Sequence, residues 1–74
     1  MRTRRALEKL RLLIDYSSNK VDQKILNRAK DYYSDAIYFI SRRRYYDAIA
    51  AIDYAYGLLE GALLQQNIDT SNFY

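Results

Sequence analysis

Residues 48–64 read AIAAIDYAYGLLEGALL and carry two charged side chains, Asp53 and Glu60, in seventeen positions. The two acids are seven residues apart, so a helix places them on almost the same side. A helix that is apolar around most of its circumference must be covered by other parts of the protein. The stretch therefore predicts a central helix, enclosed by the remaining chain and by a second copy, with water reaching it along the line of the two acids.

The composition excludes several classes of site. The chain has 74 residues with no Cys and no His, and those two side chains build zinc sites, haem ligands and most nucleophile–base pairs. We therefore predict no catalytic residues, no metal site and no cofactor. A chain this short buries only about 60% of its unfolded surface. Oligomerisation is one way to supply the missing stability.

The charge distribution bears on location and partners. Twelve basic and nine acidic residues give a net charge of +3, which is small for a dedicated nucleic-acid coat. The basic first eleven residues lack the apolar segment of a secretory signal. Residues 48–64 are too short to span a bilayer. We expect a cytoplasmic protein that does not enter a membrane.

Helical spacing of apolar residues continues through the rest of the chain, which has no proline and two glycines. We predict an all-α fold, an antiparallel three-helix bundle of up-down-up topology. The helices are expected at about 3–16, 21–41 and 45–66. They form one domain over 1–66, followed by a loosely docked polar tail over 67–74.

Polar residues mark the expected helix starts. Thr3 is the predicted N-cap of the first helix, and Asn19 or Ser18 that of the second. Helical spacing also predicts the inward faces of the three helices. These comprise Leu7, Leu10, Leu13 and Ile14, then Val21, Ile25, Ala29, Tyr32, Ala36 and Phe39, and finally Tyr45, Ile49, Ile52, Tyr56, Leu59 and Leu63, with a second row of Ala48, Ala51, Ala55 and Ala62.

The predicted topology would separate charge between two poles. One pole is expected to gather Arg2, Arg4, Arg5, Arg42, Arg43 and Arg44, and the other Asp15, Asp22, Glu60 and Asp69. Arginine matches phosphate geometry, and a nearby helix start offers free N–H donors. The arginine pole is therefore a candidate phosphate-binding site. The alternative is that the cations complement the negative end of a helix dipole.

Tyrosine is unusually frequent, with nine in the chain. Tyr provides a large rigid contact area with a polar end that tolerates water, which favours an interface. The two glycines are spaced as G-x-x-x-G, a pattern that indicates close approach of another helix, from this chain or from a partner. For the tyrosines, the alternative is that they fill the boundary between core and solvent. The candidate interface residues are Tyr32, Tyr33, Tyr45, Tyr46, Tyr54, Gly57 and Gly61.

Two acidic pairs are candidates for chemistry. Asp31 and Asp35 are four residues apart and share a helix face, which suits a metal or acid–base pair. A solvated face with ion pairs to Arg28 and Arg42 is the alternative that we favour. Asp53 and Glu60 either form a polar pocket within an interface or mark the water-facing side of the third helix.

The stretch YYSDAIYFISRRRYYDAIAAIDYAYGLLEG, residues 32–61, resembles the short archaeal proteins grouped as domain of unknown function 357. The resemblance rests on Tyr33, Asp35, Ala36, Phe39, Tyr45 or Tyr46, Ala48, Ala51, Tyr54, Ala55, Gly57 and Glu60. It implies a compact helical bundle and no established activity. Members often carry His where Tyr56 stands and a glycine in the hairpin where this chain has arginines.

Two functions follow as hypotheses from the sequence. The first is a non-enzymatic module for protein–protein interaction or self-association, with a dimer as one form, because the third helix carries more apolar surface than two thin neighbours cover. The alternative is a small RNA-binding or nucleic-acid-binding accessory protein that uses the arginine pole.

Overall fold

Three α-helices packed into a bundle form the protein. The computed structural model describes residues 2–67, and its helices are α1 (Arg2–Ser17), α2 (Gln23–Ser41) and α3 (Tyr45–Gln65). The described residues contain no strand. The prediction of an all-α three-helix bundle is confirmed, and the helix bounds lie within two residues of those expected. The predicted tail lies outside the described residues, except for Asn67.

The core is formed by all three helices, with α3 contributing more buried residues than either of the others. The most extensive contact joins α2 to α3, and α1 packs more on α3 than on α2. The prediction that α3 is the central helix is therefore confirmed for its inner side, on which the other two helices pack. The buried apolar residues are Leu10, Leu13, Ile14, Leu26, Ala29, Ala36, Ala48, Ala51, Ile52, Ala55, Leu59, Ala62 and Leu63.

The residues that face each other on α2 and α3 follow opposite orders along the two helices. Phe39 and Asp47 line one end of a common groove, and the rings of Tyr32 and Tyr54 contact each other farther along it. This order supports the antiparallel hairpin that the short link predicts. The full up-down-up topology stays a prediction.

Both predicted N-caps are wrong. The chain is already helical at Arg2, so Thr3 lies inside α1, where it is buried. The cap of α2 is Asp22, whose carboxylate accepts a hydrogen bond from the backbone N–H of Lys24 at 2.7 Å. The Ser18 hydroxyl instead donates to the carbonyl of Asp15 and so belongs to the end of α1. An aspartate satisfies free N–H groups as well as Ser or Asn does, and it stands closer to the helix start.

The turn between α2 and α3 depends on a residue in the left-handed region. Arg43 has a φ of 60°, a conformation that costs a non-glycine residue about 1–2 kcal/mol. The Arg43 and Arg44 N–H groups donate to the carbonyls of Ile40 and Phe39 at 3.0 and 2.8 Å, which satisfies the end of α2.

None of the three described helices meets the length and hydropathy required to cross a membrane.

Replacing the α2 cap tests the assignment of this helix start. Asp22→Ala should lower the free energy of unfolding by about 1 kcal/mol, because it leaves a helix N–H group without its acceptor. Urea unfolding followed by circular dichroism measures the change. Asn19→Ala is the matched control, and it should change the free energy of unfolding by less than half as much. Equal losses in both variants would contradict the assignment.

Candidate interaction surface

A groove lies between α2 and α3 on the described surface. It has a volume of about 370 Å³ and is lined mostly by apolar surface with two carboxylates at its edges. Its lining side chains are spaced by three and four along each helix, so each set projects from one face. The lining residues are Tyr32, Asp35, Phe39, Asp47, Ala50, Ala51 and Tyr54.

Two tyrosines border the groove at the end opposite Phe39 and Asp47. The ring centroids of Tyr32 and Tyr54 are 4.6 Å apart and the ring planes are inclined by 47°. Tyr32 is half-buried against the core, whereas Tyr54 is 49% exposed. Aromatic pairs at this distance contribute about 0.5–1.5 kcal/mol beyond their area burial. The pair therefore holds a large aromatic surface in a fixed position at the solvent boundary.

One end of the groove is already occupied by a side chain of the protein. The Arg44 guanidinium donates to the Asp47 carboxylate at 2.7 Å and lies over the Phe39 ring at 5.0 Å. Asp35, one turn before Phe39, is exposed and has no ion pair within residues 2–67. The groove is therefore lined by one carboxylate that is paired with an arginine and by one that pairs with no described residue.

A second depression of about 190 Å³ continues the groove toward the other end of the hairpin. Lys24, Ile25 and Arg28 from α2 and Leu58 from α3 line it. Lys24 and Arg28 are exposed and, within residues 2–67, make no ion pair. The α2 residues on this side of the hairpin are thus basic beside the second depression, at Lys24 and Arg28, and acidic beside the groove, at Asp35.

The exposed side of α3 is wider than the sequence predicts. Tyr46 is 96% exposed and Leu64 is 57% exposed. Ala50, Gly57 and Gly61 lie between them on the same outer side and are exposed as well. The expectation that water reaches α3 only along the line of its two acids is therefore wrong, because α1 and α2 cover only the inner side.

The two glycines have no packing role within the described chain. A Cβ atom added at Gly57 or at Gly61 would meet nothing within 4 Å. The possibility that another helix of this chain crosses closely at this point is thus excluded for residues 2–67. The possibility of a crossing by a second molecule is untested.

The candidate interface tyrosines divide into two sets. Tyr45, Tyr46 and Tyr54 are exposed, whereas Tyr32 and Tyr33 are half-buried against the core. Tyr45, predicted to face inward, is 38% exposed because it stands at the first residue of α3. The interface hypothesis thus fits the three exposed tyrosines, and the boundary alternative fits the two half-buried ones.

The six arginines of the predicted pole differ in their contacts. Arg44 is engaged by Asp47, and Arg42 lies over the Tyr38 ring at 5.5 Å. The remaining four are exposed and make no ion pair with any described residue. Their gathering at one pole stays a prediction, and they are Arg2, Arg4, Arg5 and Arg43.

The predicted acidic pole is partly used by local contacts. Asp15 pairs with Arg11 at 3.0 Å, and Asp22 caps α2. Glu60 is partly buried, and its Oε2 atom has no hydrogen-bond partner among the described residues. Asp69 lies outside the described residues. The separation of charge between two poles is therefore weaker than the sequence suggests.

The two acidic pairs also differ from expectation. Asp31 and Asp35 are exposed, as a solvated face requires, but the ion pairs expected with Arg28 and Arg42 are absent from the described chain. No group of three potential metal ligands occurs among the described residues.

Asp53 is exposed, whereas Glu60 is partly buried, so the water-facing alternative describes Asp53 better than Glu60. Burial raises the pKa of the neighbouring Tyr56 above its ordinary value, and the charge of Glu60 adds to the rise.

A family model described as a protein of unknown function (DUF357) matches residues 1–66. The chain belongs to this family. The match extends the resemblance seen in residues 32–61 to the whole bundle, including α1. No curated protein and no solved structure matches the chain.

The sequence interpretation missed part of this surface. Arg28, Tyr32, Asp35 and Phe39 are spaced four, three and four residues apart, so they project from one side of α2. The spacing of these residues can be seen in the sequence, but it does not show which face of α2 the neighbouring helix covers. Lys24, Ala50 and Leu58 were missed for the same reason.

Filling the glycine positions tests whether they are open. Gly57→Ala and Gly61→Ala should each raise the free energy of unfolding by about 1 kcal/mol, because Ala has the higher helix propensity and meets no obstacle. Urea unfolding of the dilute protein measures this. A loss of stability in either variant would show that a neighbouring group already fills the space.

Proposed function

We propose that this DUF357 protein is a non-enzymatic interaction module that associates with a second copy of itself through the outer face of the α2–α3 hairpin. The observation that carries the proposal is the exposed apolar side of α3. It includes Tyr46 at 96% exposure and Leu64 at 57%, together with the groove that Tyr54 borders. Contiguous apolar surface of this kind marks interaction sites on soluble proteins. We place this activity in the cytoplasm.

The exposed glycines support the same proposal. Each glycine in a helix interior costs about 1 kcal/mol relative to Ala, and nothing within 4 Å of either position compensates for that cost inside residues 2–67. A second molecule that packs closely on this side of α3 would make use of the open space. The tyrosines around it are suited to a contact that also tolerates water in the free protein.

Sedimentation velocity over a concentration series tests the association. We expect the wild-type protein to form a dimer at concentrations on the order of 10 µM, which corresponds to a modest binding energy. Tyr46→Ser should weaken this dimer, because it removes the most exposed ring of the surface. Leu12→Ser is the matched control, since Leu12 is a 46% exposed apolar residue on α1. A wild-type monomer at 100 µM, roughly tenfold above that range, would reject the proposal.

Nucleic-acid binding is the second candidate function. The supporting observation is that Arg2, Arg4, Arg5 and Arg43 are exposed and make no ion pair within the described residues. Phosphate contacts by these side chains would give an affinity that falls steeply with salt, with a slope that reports the number of phosphates neutralised.

Fluorescence anisotropy with a labelled single-stranded RNA measures this binding. Replacing those four arginines by Ser should abolish binding, whereas Arg42→Ser and Arg44→Ser should have smaller effects, because Arg42 and Arg44 already contact Tyr38 and Asp47. Unchanged affinity in the four-residue variant would remove the candidate.

A further inference from the structure

We propose that two copies pack groove to groove in an antiparallel, two-fold arrangement in which Arg28 of each copy pairs with Asp35 of the other. This inference rests on the proposed self-association and specifies its geometry. It follows from the charges along the groove, the position of the tyrosine pair and the distribution of large and small residues on α3.

The charges along the α2 edge are self-complementary in one orientation. Lys24 and Arg28 line the second depression, and Asp35 lines the groove about two turns beyond Arg28 along α2. All three are exposed, and none is in an ion pair within residues 2–67. An antiparallel copy places the basic end of each molecule opposite the acidic end of the other. A parallel copy would place like charges together, which is unfavourable.

The tyrosine pair stands where the two-fold axis would pass. The midpoint between residues 28 and 35 on α2 lies next to Tyr32. On α3, the midpoint between the lining residues Ala51 and Leu58 lies next to Tyr54. Since these two rings already contact each other at 4.6 Å, the axis would bring two identical ring pairs together. Aromatic residues at the centre of an interface, surrounded by polar groups, are the usual arrangement of residues that dominate binding energy.

The sizes of the exposed side chains on α3 agree with the same two-fold axis. Tyr46 lies eight residues before Tyr54, and Gly61 lies seven residues after it. An antiparallel copy therefore brings Tyr46, which is 96% exposed, toward Gly61 of the other molecule. A side chain at Gly61 would meet nothing within 4 Å in the free protein, so this position has room for a tyrosine ring. In this arrangement, the most exposed tyrosine ring of α3 faces a residue that has no side chain.

The available area fits a weak dimer. With 19 residues, α2 is about 28 Å long, and two helices side by side are about 20 Å wide. The face offers on the order of 600 Å² per copy, somewhat below the ~800 Å² of a standard interface. Association in the micromolar range is consistent with that size.

Charge reversal in two separate variants tests the arrangement. Asp35→Arg leaves only basic groups along the α2 edge, and Arg28→Asp places an acid at both positions. Each variant alone should dimerise at least about tenfold more weakly than the wild type, because like charges then face each other. An equimolar mixture of the two should recover the dimer, since the reversed edges are complementary to each other. Sedimentation velocity, with one variant fluorescently labelled, measures all three.

Controls on the opposite side of α2 separate this contact from the effect of net charge. Lys30→Asp and Ser34→Arg change charge on the same helix but point away from the groove, so they should leave the dimer unchanged. Circular dichroism verifies that each variant keeps its helix content.

Three results would overturn the arrangement. If both reversed variants still dimerise like the wild type, or if their mixture fails to recover the dimer that each has lost, self-association stands but this geometry is rejected. If the two control variants lose the dimer as well, the association responds only to net charge and the Arg28–Asp35 pairing is rejected. A monomeric wild type rejects the self-association itself.

Discussion

The row of alanines on α3 determines how the rest of the structure packs. Ala48, Ala51, Ala55 and Ala62 are buried at successive turns on the inner side of the helix. Because a methyl group occupies so little space, neighbouring helices can approach the α3 backbone closely. Leu59 and Leu63, which are larger, are fully buried in the same core. In a chain of 74 residues, this is a way to build a dense core from few side chains.

Close packing on one side of α3 leaves the other side uncovered. Two neighbouring helices reach only the inner half of its circumference, so apolar residues that a larger bundle would bury remain in contact with water. Tyr46, Tyr54 and Leu64 are the clearest examples. The exposed glycines and the free charges at Asp35 and Arg28 lie on or beside the same uncovered side. The proposed dimer is therefore a consequence of the bundle's small size, because a second copy supplies the cover that a fourth helix would give.

The fold was readable from the sequence because helical spacing continues through the chain and no proline or cysteine complicates it. The inner leucines and alanines of α3 were identified correctly. The caps were not, because Ser18, Asn19 and Asp22 all suit a helix start, and only the backbone shows which one is used. The partial burial of Glu60 could not be predicted either, because spacing gives the angle between residues and not which faces the other helices cover.

The surface was predictable only in part for a related reason. The sequence indicated that tyrosines and glycines would matter, and it identified Tyr46 and Gly61 as interface candidates. It did not connect Arg28 with Asp35, since both read as ordinary charges on a solvated helix face. Their relation becomes visible when α3 is placed beside α2, because the groove and the second depression then lie on the same side of the hairpin.

A pair of alanine substitutions tests the central claim that α3 is close-packed on one side and open on the other. Ala55 is fully buried, whereas Ala50 is exposed in the groove. Urea unfolding of dilute protein should show that Ala55→Leu lowers the free energy of unfolding by about 1–3 kcal/mol, the usual cost of overpacking a core. Ala50→Leu should change it by less than about 0.5 kcal/mol, as exposed substitutions do. Equal effects of the two substitutions would contradict the account.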